Sequence, residues 1–154
     1  QKTAYEIGVR LVGSEMCIRD RAYGMPVDPR HLFLTAGASQ GLDLACTLYA
    51  PAGSTVVVEE PTYFVIEKIF RERNLNVIGV PTDSDGMVVS KLESLLLDGL
   101  KPSLLYTIPT YQNPTGICLS NNRRHQLISL ANEFDFHILA DEVYQLIYFD
   151  QLPP

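Results

Sequence analysis

The chain has 154 residues, enough for one domain with a real core, and its 46% hydrophobic and 19% charged residues argue against a disordered polymer. A net charge of -6 without any basic run gives no footing for nucleic acid or an anionic membrane surface. No apolar stretch approaches the roughly 20 residues that a spanning helix needs.

Cys17, Cys46 and Cys118 are odd in number and widely spaced, which fits neither a disulfide framework nor a zinc site. They read as reduced thiols of a cytoplasmic protein. His31, His125 and His137 lack helical pairing or a nearby cysteine, so no metal site is expected.

Residues 1–21 show no sustained helical or strand period. Their VGSEMCIRDR stretch resembles a translated sequencing adapter, and the segment is set aside as a non-native leader. A genuine variable N-terminus is the alternative. Residues 22–154 are the expected domain. Residues 31–35 (HLFLT) form a short apolar strand running into the small-residue turn Ala36-Gly37-Ala38. A helical period follows, with Leu42, Ala45, Cys46 and Tyr49 on one face, and stops before Pro51-Ala52-Gly53. Residues 55–59 (TVVVE) predict a buried strand. Residues 61–73 predict a helix with Val65 and Ile69 inward, joined by Ile66 and Phe70, and residues 75–80 (LNVIGV) a further strand. Ser90 stands three residues before Glu93, the capping-box spacing, at the head of a helix carrying Leu92, Leu95 and Leu96 and ending near Gly99. Residues 103–108 (SLLYTI) predict a strand. Ser120 then caps a helix over 120–134 with Leu127, Ile128 and Ala131 inward, and residues 136–140 (FHILA) form the last strand. This alternation implies βαβ units, a mostly parallel sheet and a three-layer α/β/α domain.

The unusual polar clusters all fall at predicted strand ends: Gly37-Ala38-Ser39-Gln40, Glu60-Pro61-Thr62-Tyr63, residues 109–116 (PTYQNPTG) and Asp141-Glu142-Val143-Tyr144. In an open α/β sheet, ligands bind outside the carboxyl ends of the strands. The first cluster opens a helix, where small residues and free N–H groups suit an anion and Ser39 adds a hydroxyl; a plain turn capped by Ser39 is the competing reading. Tyr63 suits stacking on a flat ring or simple packing. Asn113-Pro114-Thr115-Gly116 is a turn by composition. Asp141 closes an apolar strand, where a carboxylate needs a partner such as a protonated ring nitrogen, unless it is an exposed helix cap. Tyr144 shares its face if the turn is helical.

From about Tyr23 to Asp150 the chain resembles the class I/II aminotransferases, fold-type I enzymes dependent on pyridoxal 5'-phosphate (PLP). The matching segments are TAGASQGLDL (35–44), EEPTYF (59–64), PTYQNPTG (109–116) and ADEVY (140–144), and the QNPTG form is similar to the 2-aminoadipate, kynurenine and aromatic aminotransferase branch. The resemblance implies that Ala38, Ser39 and Gln40 hold the cofactor's phosphate and Tyr63 stacks on its ring. It implies that Asn113 and Tyr144 bond the phenolic oxygen and Asp141 pairs with the pyridine N–H, keeping the ring an electron sink. It also implies amino-acid and 2-oxo-acid substrates, a homodimer and a cytoplasmic enzyme. The family's Schiff-base lysine lies some 30 residues or more past the position of Tyr144, and none of Lys2, Lys68, Lys91 and Lys101 matches it. Residues 1–154 by themselves are therefore expected to be inactive. A β-lyase or aminocyclopropane-carboxylate-synthase-like enzyme, an aminotransferase-like domain of a transcription regulator, and a non-catalytic α/β domain remain the alternatives.

Overall fold

The computed structural model describes residues 33–145 and 147. The chain divides into two compact units, Gln1–Thr35 and Ala36–Pro154, and every element named below lies in the second. Of the first unit only residues 33–35 are described. Of the expected strand over 31–35, the described residues 33–35 are not in a strand, and Phe33 and Leu34 stand 79% and 65% exposed, while residues 31 and 32 lie outside the described residues. The leader over 1–21, its boundary with residue 22, and the placements of Cys17 and His31 lie outside the described residues.

The second unit runs α1 (Ala38–Tyr49), β1 (Thr55–Glu60), α2 (Phe64–Glu72), β2 (Asn76–Asp83), β3 (Gly86–Met87), α3 (Val89–Leu97), β4 (Pro102–Thr107), α4 (Asn121–Phe134) and β5 (His137–Ala140). Its strands form one sheet in the order β3-β2-β1-β4-β5. The β2–β1, β1–β4 and β4–β5 pairs are parallel, and β3 returns antiparallel on β2. Alternating side chains split between two cores. Val56, Val58, Leu104 and Tyr106 pack with Leu42 and Cys46 of α1 and Ile66 and Phe70 of α2. Val57, Val80 and Leu105 pack with Leu92 and Leu96 of α3 and Leu127 and Leu130 of α4. The sheet is thus covered on both faces, as its β-branched, nearly unbroken apolar strands require. Among the described residues no helix is long and apolar enough to cross a membrane.

Several local expectations change. Helix α2 starts at Phe64 rather than at 61, because the Pro61 carbonyl accepts a hydrogen bond from Gln112 Nε2 and Tyr63 stays extended as N-cap. Its fully buried residues are Ile66 and Phe70, while Val65 and Ile69 sit at the margin. Ser90 is not a cap. The Val88 N–H is bonded to the Pro81 carbonyl, which closes the β2–β3 hairpin, and α3 begins at once from Val88. Ser90 is already inside the helix, where its carbonyl accepts from the Ser94 hydroxyl. Ser120 does occupy the N-cap of α4, but its side chain makes no cap bond. Ile128 is 54% exposed, because Leu127 and Leu130 define the buried stripe and Ile128 lies one residue off it. Tyr49, expected inward, is 46% exposed and packs edge-on against His137.

Candidate functional site

Gly37 stands before α1 with φ +89, a left-handed conformation that glycine adopts without strain. Ala38, Ser39 and Gln40 form the exposed first turn, where N–H groups have no intrahelical acceptor. No side chain caps them: Gly37 is the N-cap residue, Ser39 lies inside the helix, and Gln40 Oε1 accepts instead from the Ala36 N–H at 2.5 Å. This cluster opens a helix as expected, though no strand precedes it among the described residues.

The other three clusters do follow parallel strands, β1, β4 and β5. Hydrogen bonds tie them together. Gln112 Nε2 donates to the Pro61 carbonyl at 2.8 Å, and Gln112 Oε1 accepts from both the N–H and the hydroxyl of Thr115. The turn after β4 is thereby fastened to the loop bearing Tyr63. Asn113 Nδ2 donates to Tyr144 Oη at 3.4 Å, so the turn also meets the loop after β5. Arg124 reaches the same two loops, donating to the Pro109 and Leu119 carbonyls and, at 3.4 Å, to Glu142. Tyr63 is half-buried, with its ring edge-on to Phe64 at 5.4 Å.

Asp141 is fixed to β4 twice. Its N–H donates to the Thr107 carbonyl at 2.9 Å, and its Oδ2 accepts from Tyr106 Oη at 3.0 Å. Oδ1 has no donor among the described residues. Asp141 is half-buried, and of its two carboxylate oxygens only Oδ2 has a donor among the described residues, the Tyr106 phenol. Tyr144 lies in a turn and meets Asn113 rather than Asp141. Beneath these loops Glu59 is 1% exposed, accepting from the Thr107 hydroxyl at 2.8 Å and the Ile108 N–H at 3.1 Å. Burial pushes its carboxyl above the ordinary range, against the pull of those hydrogen bonds. Tyr106 is raised far above an ordinary phenol, first by burial and then by the Asp141 charge, so it is a permanent donor.

Glu59, Tyr106, Gln112 and Arg124 were not singled out from the sequence. Two carried a signal: a carboxylate and a phenol inside apolar strands must find partners once buried. Gln112 entered only as part of the QNPTG segment, and Arg124 carried no signal. The described lysines take no part in the cluster, with Lys68 paired to Glu72 on the exposed face of α2, and Lys91 and Lys101 exposed. An open groove of about 700 Å³ between α3 and α4 shares no residue with the cluster.

The loops after β1, β4 and β5 thus bring together an aromatic face at Tyr63, an amide at Asn113, a phenol at Tyr144 and the Asp141 carboxylate, while the first turn of α1 offers N–H groups and a hydroxyl and has no hydrogen bond to those loops among the described residues. Residues 13–154 match the model of a family described as aminotransferase class I and II. Aromatic-amino-acid aminotransferase 1 of Thermococcus litoralis is 36% identical over 131 residues, covering 82% of this chain and 31% of that protein. The uncharacterized HTH-type transcriptional regulator YisV of Bacillus subtilis is 32% identical over 128 residues, covering 83% of this chain and 26% of that protein. Among solved structures, the α-aminoadipate aminotransferase LysN of Thermus thermophilus, complexed with N-(5'-phosphopyridoxyl)-L-leucine, superposes with a TM-score of 0.79 at 28% identity. That match covers 90% of this chain and 35% of LysN. The chain thus spans about a third or less of the length of these relatives.

Proposed function

Because the chain belongs to the aminotransferase class I and II family, we propose that it is the cofactor-holding part of a PLP-dependent enzyme that transfers an amino group between an amino acid and a 2-oxo acid. The observation that carries this reading is Asp141, held at the end of β5 with Oδ2 on Tyr106 and Oδ1 left open. The ligand that LysN holds supports PLP as the group bound.

In this reading Ala38, Ser39 and Gln40 present first-turn N–H groups and the Ser39 hydroxyl to the phosphate, where the helix dipole favours negative charge. Tyr63 lies along the ring. Asn113 donates its amide, and Tyr144 its hydroxyl, to the phenolic oxygen, and the bond between them keeps both aimed at one atom. Asp141 Oδ1 accepts the pyridine N–H and, as an anion, keeps that proton in place. PLP so held supplies an electron sink for the pair left when the substrate's α-proton departs. The enzyme is cytoplasmic and works as a homodimer on small amino and oxo acids. The likeness to YisV sustains a second reading, a regulator that binds the same cofactor.

The test is reconstitution of the full-length protein with PLP, followed by its visible absorption band, and then addition of an amino acid and a 2-oxo acid. The expected result is a bound band, weakened about tenfold in affinity by Asn113→Ala and by Asp141→Ala, and turnover of the acid pair. Binding without turnover would favour the regulator, and no band at all would overturn both readings.

A further inference from the structure

A buried phenol near the carboxyl end of the core strand β4 needs a reason beyond packing. Tyr106 is 0% exposed and its ring packs edge-on against Phe70 at 6.1 Å, as a phenylalanine would. Its hydroxyl donates to Asp141 Oδ2 at 3.0 Å. The next residue, Thr107, accepts the Asp141 N–H. Two consecutive residues of β4 therefore hold Asp141, one by its side chain and one by its main chain. A two-point hold removes the rotation that a lone carboxylate at a strand end would keep.

We propose that Tyr106 is a positioning residue that, through its hydrogen bond to Oδ2, aims Asp141 Oδ1 at the cofactor's ring nitrogen and keeps the shared proton on that nitrogen. The inference rests on the reading of Asp141 given above. A donor on Oδ2 draws charge from the carboxylate and weakens its hold on a proton, so the proton between Oδ1 and the nitrogen stays with the nitrogen. The phenol does not ionise in the working range, because burial and the adjacent carboxylate both oppose its anion. It therefore stays a hydrogen-bond donor across that range. Glu59 is the other acid that bears on it. Its carboxylate is occupied by Thr107 and Ile108, which leaves Asp141 as the acceptor for the Tyr106 hydroxyl.

The experiment is the ¹⁵N chemical shift of the ring nitrogen in full-length protein reconstituted with ¹⁵N-labelled PLP, compared across wild type, Tyr106→Phe and Asp141→Asn. Tyr106→Phe removes one oxygen and keeps the ring. The expected result is a resonance moved toward that of the unprotonated ring, with kcat lowered about tenfold and KM changed less than about twofold. A purely structural role for Tyr106 lowers the unfolding temperature but leaves the ¹⁵N shift in place. An unmoved shift in Tyr106→Phe, with a moved one in Asp141→Asn, overturns the proposal alone. An unmoved shift in both overturns the assignment of Asp141 itself. If Tyr106→Phe does not fold, 3-fluorotyrosine at position 106 keeps ring and donor and strengthens the donation. It should hold the resonance at or beyond the protonated wild-type position, and movement toward that of the unprotonated ring overturns the proposal.

Discussion

Arg123 and Arg124 are neighbours on α4, and they serve two different edges of the molecule. Arg123 grips Asp83 with both terminal nitrogens, at 2.6 and 2.7 Å, and caps the Gly86 and Met87 carbonyls, so it clamps the β2–β3 hairpin. Arg124 spends most of its donors on the Pro109 and Leu119 carbonyls and the Thr110 hydroxyl, and meets one acid among the described residues, Glu142, at 3.4 Å. One edge is therefore held by a compact ion pair at the surface. The other is held by a web of neutral acceptors that runs into buried polar groups. The difference teaches that the candidate site is built around groups left partly unspent, whereas the hairpin edge spends its charges on itself. Thr62 Oγ1 and Glu142 Oε2, both in the site's loops, are buried without partners, and the hairpin has no counterpart among the described residues.

The sharpest way to break the site edge is Glu59→Ala. It leaves the Thr107 hydroxyl and the Ile108 N–H buried without an acceptor. The expected loss is about 3 kcal/mol of unfolding free energy in urea titrations of the full-length protein. Glu59→Gln separates charge from shape. Burial raises the folded carboxyl above its ordinary value of 4.5, so between that value and the folded one the native state holds more protons than the unfolded chain. The Glu59 contribution is thus fully present at and below the ordinary value and is lost as pH rises through the folded value. Stability curves against pH should flatten in that window in Glu59→Gln; an unchanged slope would show that the carboxyl is not raised.

The hairpin edge is most exposed to steric change at Gly86. Its φ of +93 disfavours any other residue, and an added Cβ would lie 2.8 Å from Leu119 Cδ1 and 3.0 Å from Leu119 Cα. Gly86→Ala should destabilise by about 2 kcal/mol, read as a lower urea midpoint with an unchanged slope. A loss below about 0.5 kcal/mol would mean that the hairpin gives way freely and that Arg123 clamps something already loose.

The contrast between the edges also separates what the sequence told from what it hid. Strands such as TVVVE and SLLYTI were legible because buried parallel strands need unbroken apolar runs, and the structure places β1 and β4 there. Hairpin strand β3 was not, since two residues cannot display an alternation. Residues 33–35 had strand composition and are irregular, because composition alone does not fix pairing. At the candidate site, residues of unusual type were visible: Asn113 and Tyr144 are in contact, as are Asp141 and the strand that flanks it. The residues holding them were hidden. Gln112 stood out only as part of the QNPTG segment, because nothing in a linear string says that its amide will reach a carbonyl 51 positions earlier.

Arg124→Met keeps the length of the side chain and removes the fork. It should cost about 1.5 kcal/mol, since the carbonyls of the buried Pro109 and Leu119 lose charged donors. Cofactor affinity should weaken in parallel, because the loops after β4 and β5 lose their shared tie. Arg123→Met should leave cofactor affinity within about twofold. Equal effects of the two on affinity would erase the division between the edges.

The smallest effect belongs to Asp83, and its sign is opposite to that of Glu59. The Arg123 guanidinium, with help from the Asp85 N–H, holds the Asp83 carboxyl down at about 2, from an ordinary 3.8. For a depressed acid the unfolded chain binds more protons between those two values. Its contribution is therefore present above the ordinary value and is lost as pH falls toward about 2. Asp83 is exposed on the surface, where water and salt screen the pair, so the amplitude is modest and shrinks as salt is added. Asp83→Asn should remove an acid-side slope, while Glu59→Gln removes a slope on the other side. Acid unfolding followed by circular dichroism at low and high salt reads both. A salt-independent Asp83 slope would show that the Arg123 pair is more sheltered than its exposure implies, and the two edges would then differ less than their arginines suggest.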